Sequence, residues 1–200
     1  MSALPGARAK LAEARFFLAL LKRIESGQTV TPESLDDEAT YFMSALLNAC
    51  YSVMQHLGKQ GKQALRAAEG EESRELDSCL GKEVDDVRKR NRVLYYKPRR
   101  GESSEESGLR HLSVHHEVVA GKHRERTMGT WGSAMWGEMM FGEVRVVRRL
   151  YVDDPHSEAP VWIIPRMTEH VRELEELVTR WENHIAGLDD GGAPSCLARG

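Results

Sequence analysis

LDDEATYFMSALLNACYSVMQHL, residues 35–57, places Leu35, Ala39, Phe42, Leu46, Ala49, Val53 and Leu57 at spacings of three and four. That period winds one continuous apolar stripe along a helix, the seam of a bundle helix packed lengthwise against its neighbours. Leu47, Cys50 and Met54 widen the same face. Upstream, Thr31-Pro32-Glu33 reads as a helix start: a hydroxyl to cap free N–H groups, a proline at the first helical position and an acid at the positive end of the dipole. Before it, Leu11, Ala14, Leu18, Leu21 and Ile24 predict a first helix over 8–25, ended by Gly27. Downstream, residues 58–74 are polar and broken by glycine, so the second helix ends near Gly61 or continues through the alanines.

A third helix is predicted over 76–96 from Leu76, Leu80, Val84, Val87 and Leu94, stopped by Pro98. A fourth, over 105–120, carries Leu109, Leu112 and Val119 and closes at Gly121. Residues 127–142, with four glycines, four methionines, Trp131, Trp136 and Phe141, suit an ordered loop or hairpin. Val144, Val146, Val147, Tyr151 and Val152, then Val161, Trp162, Ile163 and Ile164 across Asp153-Asp154-Pro155, read as two short antiparallel strands. From Pro165, Met167, Val171, Leu174, Val178, Trp181 and Ile185 mark a last helix ending at Gly187, with a flexible glycine-rich tail over 187–200. The sequence therefore predicts one domain of mainly α class. Its up-and-down helical bundle (about 8–120) is followed by a loop and small β-hairpin (about 127–164) and a C-terminal helix (about 165–186).

At 200 residues, 40% hydrophobic and 30% charged, the composition is that of an ordinary folded domain, neither disordered nor membrane-embedded. No apolar run approaches the ~20 residues of a spanning helix, and residues 1–10 lack signal-peptide order, so no membrane partner and a cytoplasmic location are expected. Three scattered cysteines, Cys50, Cys79 and Cys196, suit neither a disulfide framework nor a Cys-based zinc site. The net charge of −3 hides an asymmetry: residues 82–126 hold twelve Lys/Arg against eight Asp/Glu, and four of the eight histidines. Any chemistry is expected there.

Within that segment Arg110-His111-Leu112-Ser113-Val114-His115 resembles the Arg-polar-x-x-x-His signature of the HEPN superfamily, small helical bundles of which many are metal-independent endoribonucleases in toxin–antitoxin and antiphage systems. His111 stands at the position where that family typically has Asn, Asp or His. The resemblance covers about residues 8–120 and implies RNA as substrate, a homodimer with a shared cleft, an antitoxin protein as possible partner and no cofactor or metal. Where a toxin of this kind carries a modified tyrosine two residues after the histidine, this chain has Glu117, so regulation by that route is not expected. The chemistry can be stated independently. Cleaving RNA with its own 2′-hydroxyl needs a group near neutral pKa to move protons and a fixed cation for the phosphorane charge. His115 suits the first role and Arg110 the second. His111, one turn before His115 on the same face, serves as a second proton carrier or orients it. Five residues at 100° put Arg110 and His115 about 140° apart around a helix, so pairing across two protomers is one way to bring them together.

Arg88, Lys89, Arg90, Arg92, Lys97, Arg99 and Arg100 form a basic strip without an acid, with Tyr95 and Tyr96 between them. It reads as a phosphate track with rings to stack on bases, or as a solvated helix end whose cations suit the C-terminal dipole. For Arg110 and His115 the plain alternative is a solvated helix face. His116 falls on the apolar stripe and reads as a core histidine. His111 and His115 have the spacing of a zinc pair but lack a third ligand. The Trp/Met loop reads as a cover over the bundle or a dimer contact. A catalytically inert bundle binding a nucleotide or a protein partner is the rival reading.

Overall fold

The computed structural model describes residues 2–67, 71–95, 108–110, 121–128, 145–153 and 160–189. Helices α1 (Pro5–Glu25), α2 (Leu35–Ala67) and α3 (Glu71–Arg90) are followed by a single turn, α4 (Arg92–Tyr95). Strands β1 (Lys122–Met128), β2 (Arg145–Asp153) and β3 (Pro160–Trp162) precede the last helix, α5 (Ile163–Asp189). Side-chain contacts fix the helix directions. Gly6 and Ala7 at the start of α1 donate their N–H groups to Gln60 Oε1 near the end of α2, at 3.0 and 3.2 Å. Ser73 at the start of α3 bonds the Leu65 carbonyl of α2. Arg8 and Arg15 of α1 pair with Glu182 and Glu175 of α5, and Glu83 and Arg90 of α3 meet Arg180 and Glu173. Each neighbouring pair is antiparallel, which makes the expected up-and-down bundle.

The stripes read from sequence face the core. Leu11, Ala14, Leu21 and Ile24 of α1, Ala39, Leu46, Val53 and Leu57 of α2, Leu76, Leu80 and Val87 of α3, and Leu174, Val178 and Trp181 of α5 are all buried. Each large aliphatic side chain removed from water stabilises the bundle by about 1.5–3 kcal/mol. Trp181, the largest, satisfies its indole N–H on Glu83 Oε2 at 2.9 Å. No helix among the described residues is long and apolar enough to cross a membrane.

Boundaries differ from expectation for local reasons. Helix α2 starts at Leu35, after the Thr31-Pro32-Glu33 signal. Ser34 Oγ accepts the Asp37 N–H and donates to its carboxylate, a reciprocal cap, and the Ser34 carbonyl takes the first helical bond from Glu38. The 30–33 segment hangs instead on the buried Glu38 carboxylate, which accepts the N–H groups of Val30 and Thr31. Burial would raise the Glu38 pKa, but those bonds and the Arg23 charge hold it below its ordinary value. At its other end α2 continues through the alanines to Ala67, one of the two ends expected, with Leu80 of α3 packed against the bare Gly61 backbone. The predicted 76–96 helix is interrupted at Asn91, whose buried amide donates to the Val87 carbonyl and to Glu173 Oε2. Helix α5 begins two residues early, taking Ile163 and Ile164 from the predicted strand, and passes Gly187 to Asp189. The 190–200 part of the predicted tail lies outside the described residues.

The strands form a three-stranded antiparallel sheet in the order β1-β2-β3. The predicted β2–β3 pairing is present, with Tyr151 opposite Trp162 and Val152 opposite Val161. Strand β1 has no apolar alternation in its sequence, KHRERTM, and so carries no strand signal of its own. It exists through its pairing with β2, from Lys122 opposite Tyr151 to Met128 opposite Arg145. Leu150 and Val152 turn one face onto the bundle, the Leu150 N–H bonds Glu25, and Gly121 packs against Ala39 and Thr40 of α2. The Thr40 hydroxyl accepts the Gly121 N–H at 3.0 Å in a buried site.

Candidate functional site

Arg110 is the one member of the candidate catalytic set among the described residues. His111 and His115 lie outside them, as do Lys97, Arg99 and Arg100 of the basic strip and most of the predicted 105–120 helix. Leu109 and Arg110 are helical, and Leu109 is buried in the core. The Arg110 guanidinium sits 3.8 Å from the centre of the Tyr51 ring of α2, and half-buried Arg88 of α3 approaches the same ring at 5.4 Å. Two guanidinium groups therefore converge on one phenol, a cation–aromatic arrangement that desolvation strengthens. Arg110 is half-buried rather than fully solvated.

The basic strip divides. Lys89 and Arg92 are exposed, and Lys89 pairs with Asp86 at 3.6 Å. Arg88 pairs with Asp85 at 3.3 Å, and Arg90 donates through Nε and Nη2 to Glu173 Oε1 at 3.0 and 2.8 Å. Tyr95 leaves the strip. Expected to stack on bases, it is buried, 6.1 Å from Tyr51 and 5.2 Å from the His170 ring, because α4 turns inward after the break at Asn91. A ring so covered offers no face to a nucleotide.

Tyr95 belongs instead to a buried polar chain not expected from the sequence. Its Oη lies 2.6 Å from His170 Nε2, and His170 Nδ1 lies 3.4 Å from Glu173 Oε2. Hydrogen bonds from His170, Arg90 and Asn91, against the cost of burial, hold the Glu173 carboxyl down at about 2, so it accepts only. His170 Nδ1 then carries the proton, leaving Nε2 to accept from the Tyr95 hydroxyl. Burial lowers the His170 pKa, with Glu173 opposing, and keeps the imidazole neutral. Burial also raises the Tyr95 pKa well above its ordinary value, so the phenol keeps its proton. Cys50 is buried in the same core, and burial pushes its pKa up to about 12, so it stays a thiol. One signal for His170 was present: it lies three residues after Met167 and four before Leu174, a histidine on an apolar stripe.

Comparison of the chain with protein-family models, with curated proteins and with solved structures finds no match.

Proposed function

We propose that this chain is a HEPN-like, metal-independent endoribonuclease working in a toxin or defence setting. The observation that carries the reading is the seat of Arg110, held over Tyr51 beside Arg88, which brings the first residue of the Arg-polar-x-x-x-His segment to the basic end of α3. A small helical bundle is also the architecture the resemblance implies. In this reading Arg110 faces the non-bridging phosphate oxygens, His115 takes the 2′-hydroxyl proton, and His111 is a second proton carrier. The 2′-oxygen attacks phosphorus and the 5′-oxygen leaves with a proton, giving a 2′,3′-cyclic phosphate and a free 5′-hydroxyl. Lys89 and Arg92, which are exposed, supply charge for the RNA backbone, and by residue type Lys97, Arg99 and Arg100 add to it. A homodimer brings one chain's arginine to the other's histidine, and an antitoxin protein is the matching partner class.

The deciding experiment is cleavage of labelled tRNA and of a generic single-stranded RNA in EDTA, with Arg110→Ala and His115→Ala alongside. Cyclic phosphate ends that both substitutions abolish support the reading. Absence of cutting at micromolar protein overturns it in favour of a second reading, an inert bundle binding a nucleotide or protein. In that second reading the Arg110–Tyr51 contact serves the fold alone.

A further inference from the structure

The outer face of the sheet carries a set of side chains that no part of the ribonuclease reading uses. Leu150 and Val152 of β2 point into the bundle, so Arg149 and Tyr151 point away from it. The register sets Arg124 of β1 opposite Arg149, and Lys122 opposite Tyr151. On the other side of β2, Trp162 of β3 stands opposite Tyr151. Lys122, Arg124 and Arg149 are exposed, and Tyr151 and Trp162 are half-exposed. The two rings meet edge to face at 5.9 Å, and the Arg149 guanidinium lies 5.8 Å from the centre of the Trp162 ring. Asp153, at 2.6 Å from Lys122 Nζ, is the acid on this face among the residues whose side chains are described.

We propose that this face is a binding platform for single-stranded RNA, with Lys122, Arg124 and Arg149 on phosphates and Trp162 and Tyr151 against bases. Three cations against one carboxylate favour a polyanion, and phosphates supply that charge at each nucleotide step. Paired aromatic rings among those cations favour an unpaired strand, whose bases present their faces, over a duplex or a lipid surface. The cross-strand contacts hold rings and guanidinium in place before ligand arrives, which lowers the ordering cost of binding. The choice of RNA rests on the ribonuclease reading.

The test is fluorescence anisotropy of a short, labelled 2′-O-methyl oligoribonucleotide of mixed sequence, which cannot be cut by 2′-hydroxyl attack, with the full chain. Trp162→Ala should weaken binding at least about fivefold, the low end for loss of one base–aromatic stack. Trp162→Phe should restore most of it. Arg124→Gln and Arg149→Gln, at exposed positions where folding is not in question, should each lower the slope of log K against log salt by about 0.7. Unchanged binding in both glutamine variants overturns the proposal. So does equal or tighter binding of a duplex, or variants that lose affinity for anionic phosphatidylserine vesicles and not for the oligonucleotide. The two readings fail separately. Variants that lose oligonucleotide binding in a protein that never cuts RNA leave the platform standing and sink the nuclease. Cutting together with intact binding in every variant does the reverse.

Discussion

Tyr95 Oη stands 2.6 Å from His170 Nε2, joining the turn α4 to α5 across 75 residues of sequence in a fully buried contact. With Glu173 fixing the imidazole tautomer, the phenol donates and the ring nitrogen accepts. Tyr95→Phe removes the donor and leaves a buried acceptor unsatisfied, a loss of about 1–3 kcal/mol. Urea unfolding should show that loss in the midpoint. In a double-mutant cycle with His170→Leu, the second substitution should cost clearly less once the first is made. Additive costs would mean that the hydrogen bond contributes nothing of its own.

The same chain sets an acid limit on stability. An unfolded His170 takes its proton near the ordinary value of about 6.5, whereas the buried ring does so at a lower pH. Its contribution is therefore complete above that value and is lost as pH falls from there towards the folded value. Glu173 acts in the same direction lower down, its contribution present above its ordinary 4.5 and lost as pH falls through about 2. Unfolding midpoints should decline below about pH 6.5, and His170→Gln should flatten the first part of that decline. An equal slope in the variant would assign the decline to other groups.

The bundle was legible because its signal is local and repeated. Leu46, Leu80 and Trp181 each sit in a stripe that a few turns of sequence reveal, and burial follows from the stripe. What was not legible depended on distant partners. Asn91 breaks α3 because Glu173, on another helix, takes its amide, and nothing within 76–96 announces that. Strand β1 is defined by β2 and not by its own pattern. At the site, the arginine's chemistry could be read from its type and spacing, but its seat on Tyr51 could not. The basic neighbours of Tyr95 point it to the surface, while the inward turn of α4 buries it.

Gly121 offers a cleaner steric test. A Cβ there would stand 2.9 Å from Ala39 Cβ, 3.3 Å from Ala39 C and 3.4 Å from Thr40 N, and the backbone atoms of α2 cannot swing aside. Gly121→Ala should cost about 1–3 kcal/mol as the sheet is forced off the helix. Gly81, on α3, is the contrasting case, since an added Cβ meets nothing within 4 Å. Gly81→Ala should stabilise by about 0.5–1 kcal/mol through helix propensity. Thermal unfolding of the two variants should move in opposite directions, and movement in the same direction would contradict the docking described.

Arg110 separates the fold's requirement from the chemistry's. Arg110→Ala removes the cation over Tyr51 and should cost about 0.5–2 kcal/mol. Tyr51→Leu removes the ring but keeps the guanidinium, so it should lower stability similarly while sparing more RNA cleavage. Arg110→Lys keeps a cation near the ring and loses the planar fork, so its stability should stay closer to wild type. Its cleavage rate should nevertheless fall about 10²–10³-fold, as when one donor to developing negative charge is lost. Measured together, unfolding midpoints and cleavage rates distinguish the roles: rates that merely track stability across the three variants would make Arg110 a structural cation, and a lysine variant that folds but does not cut would place it at the phosphate.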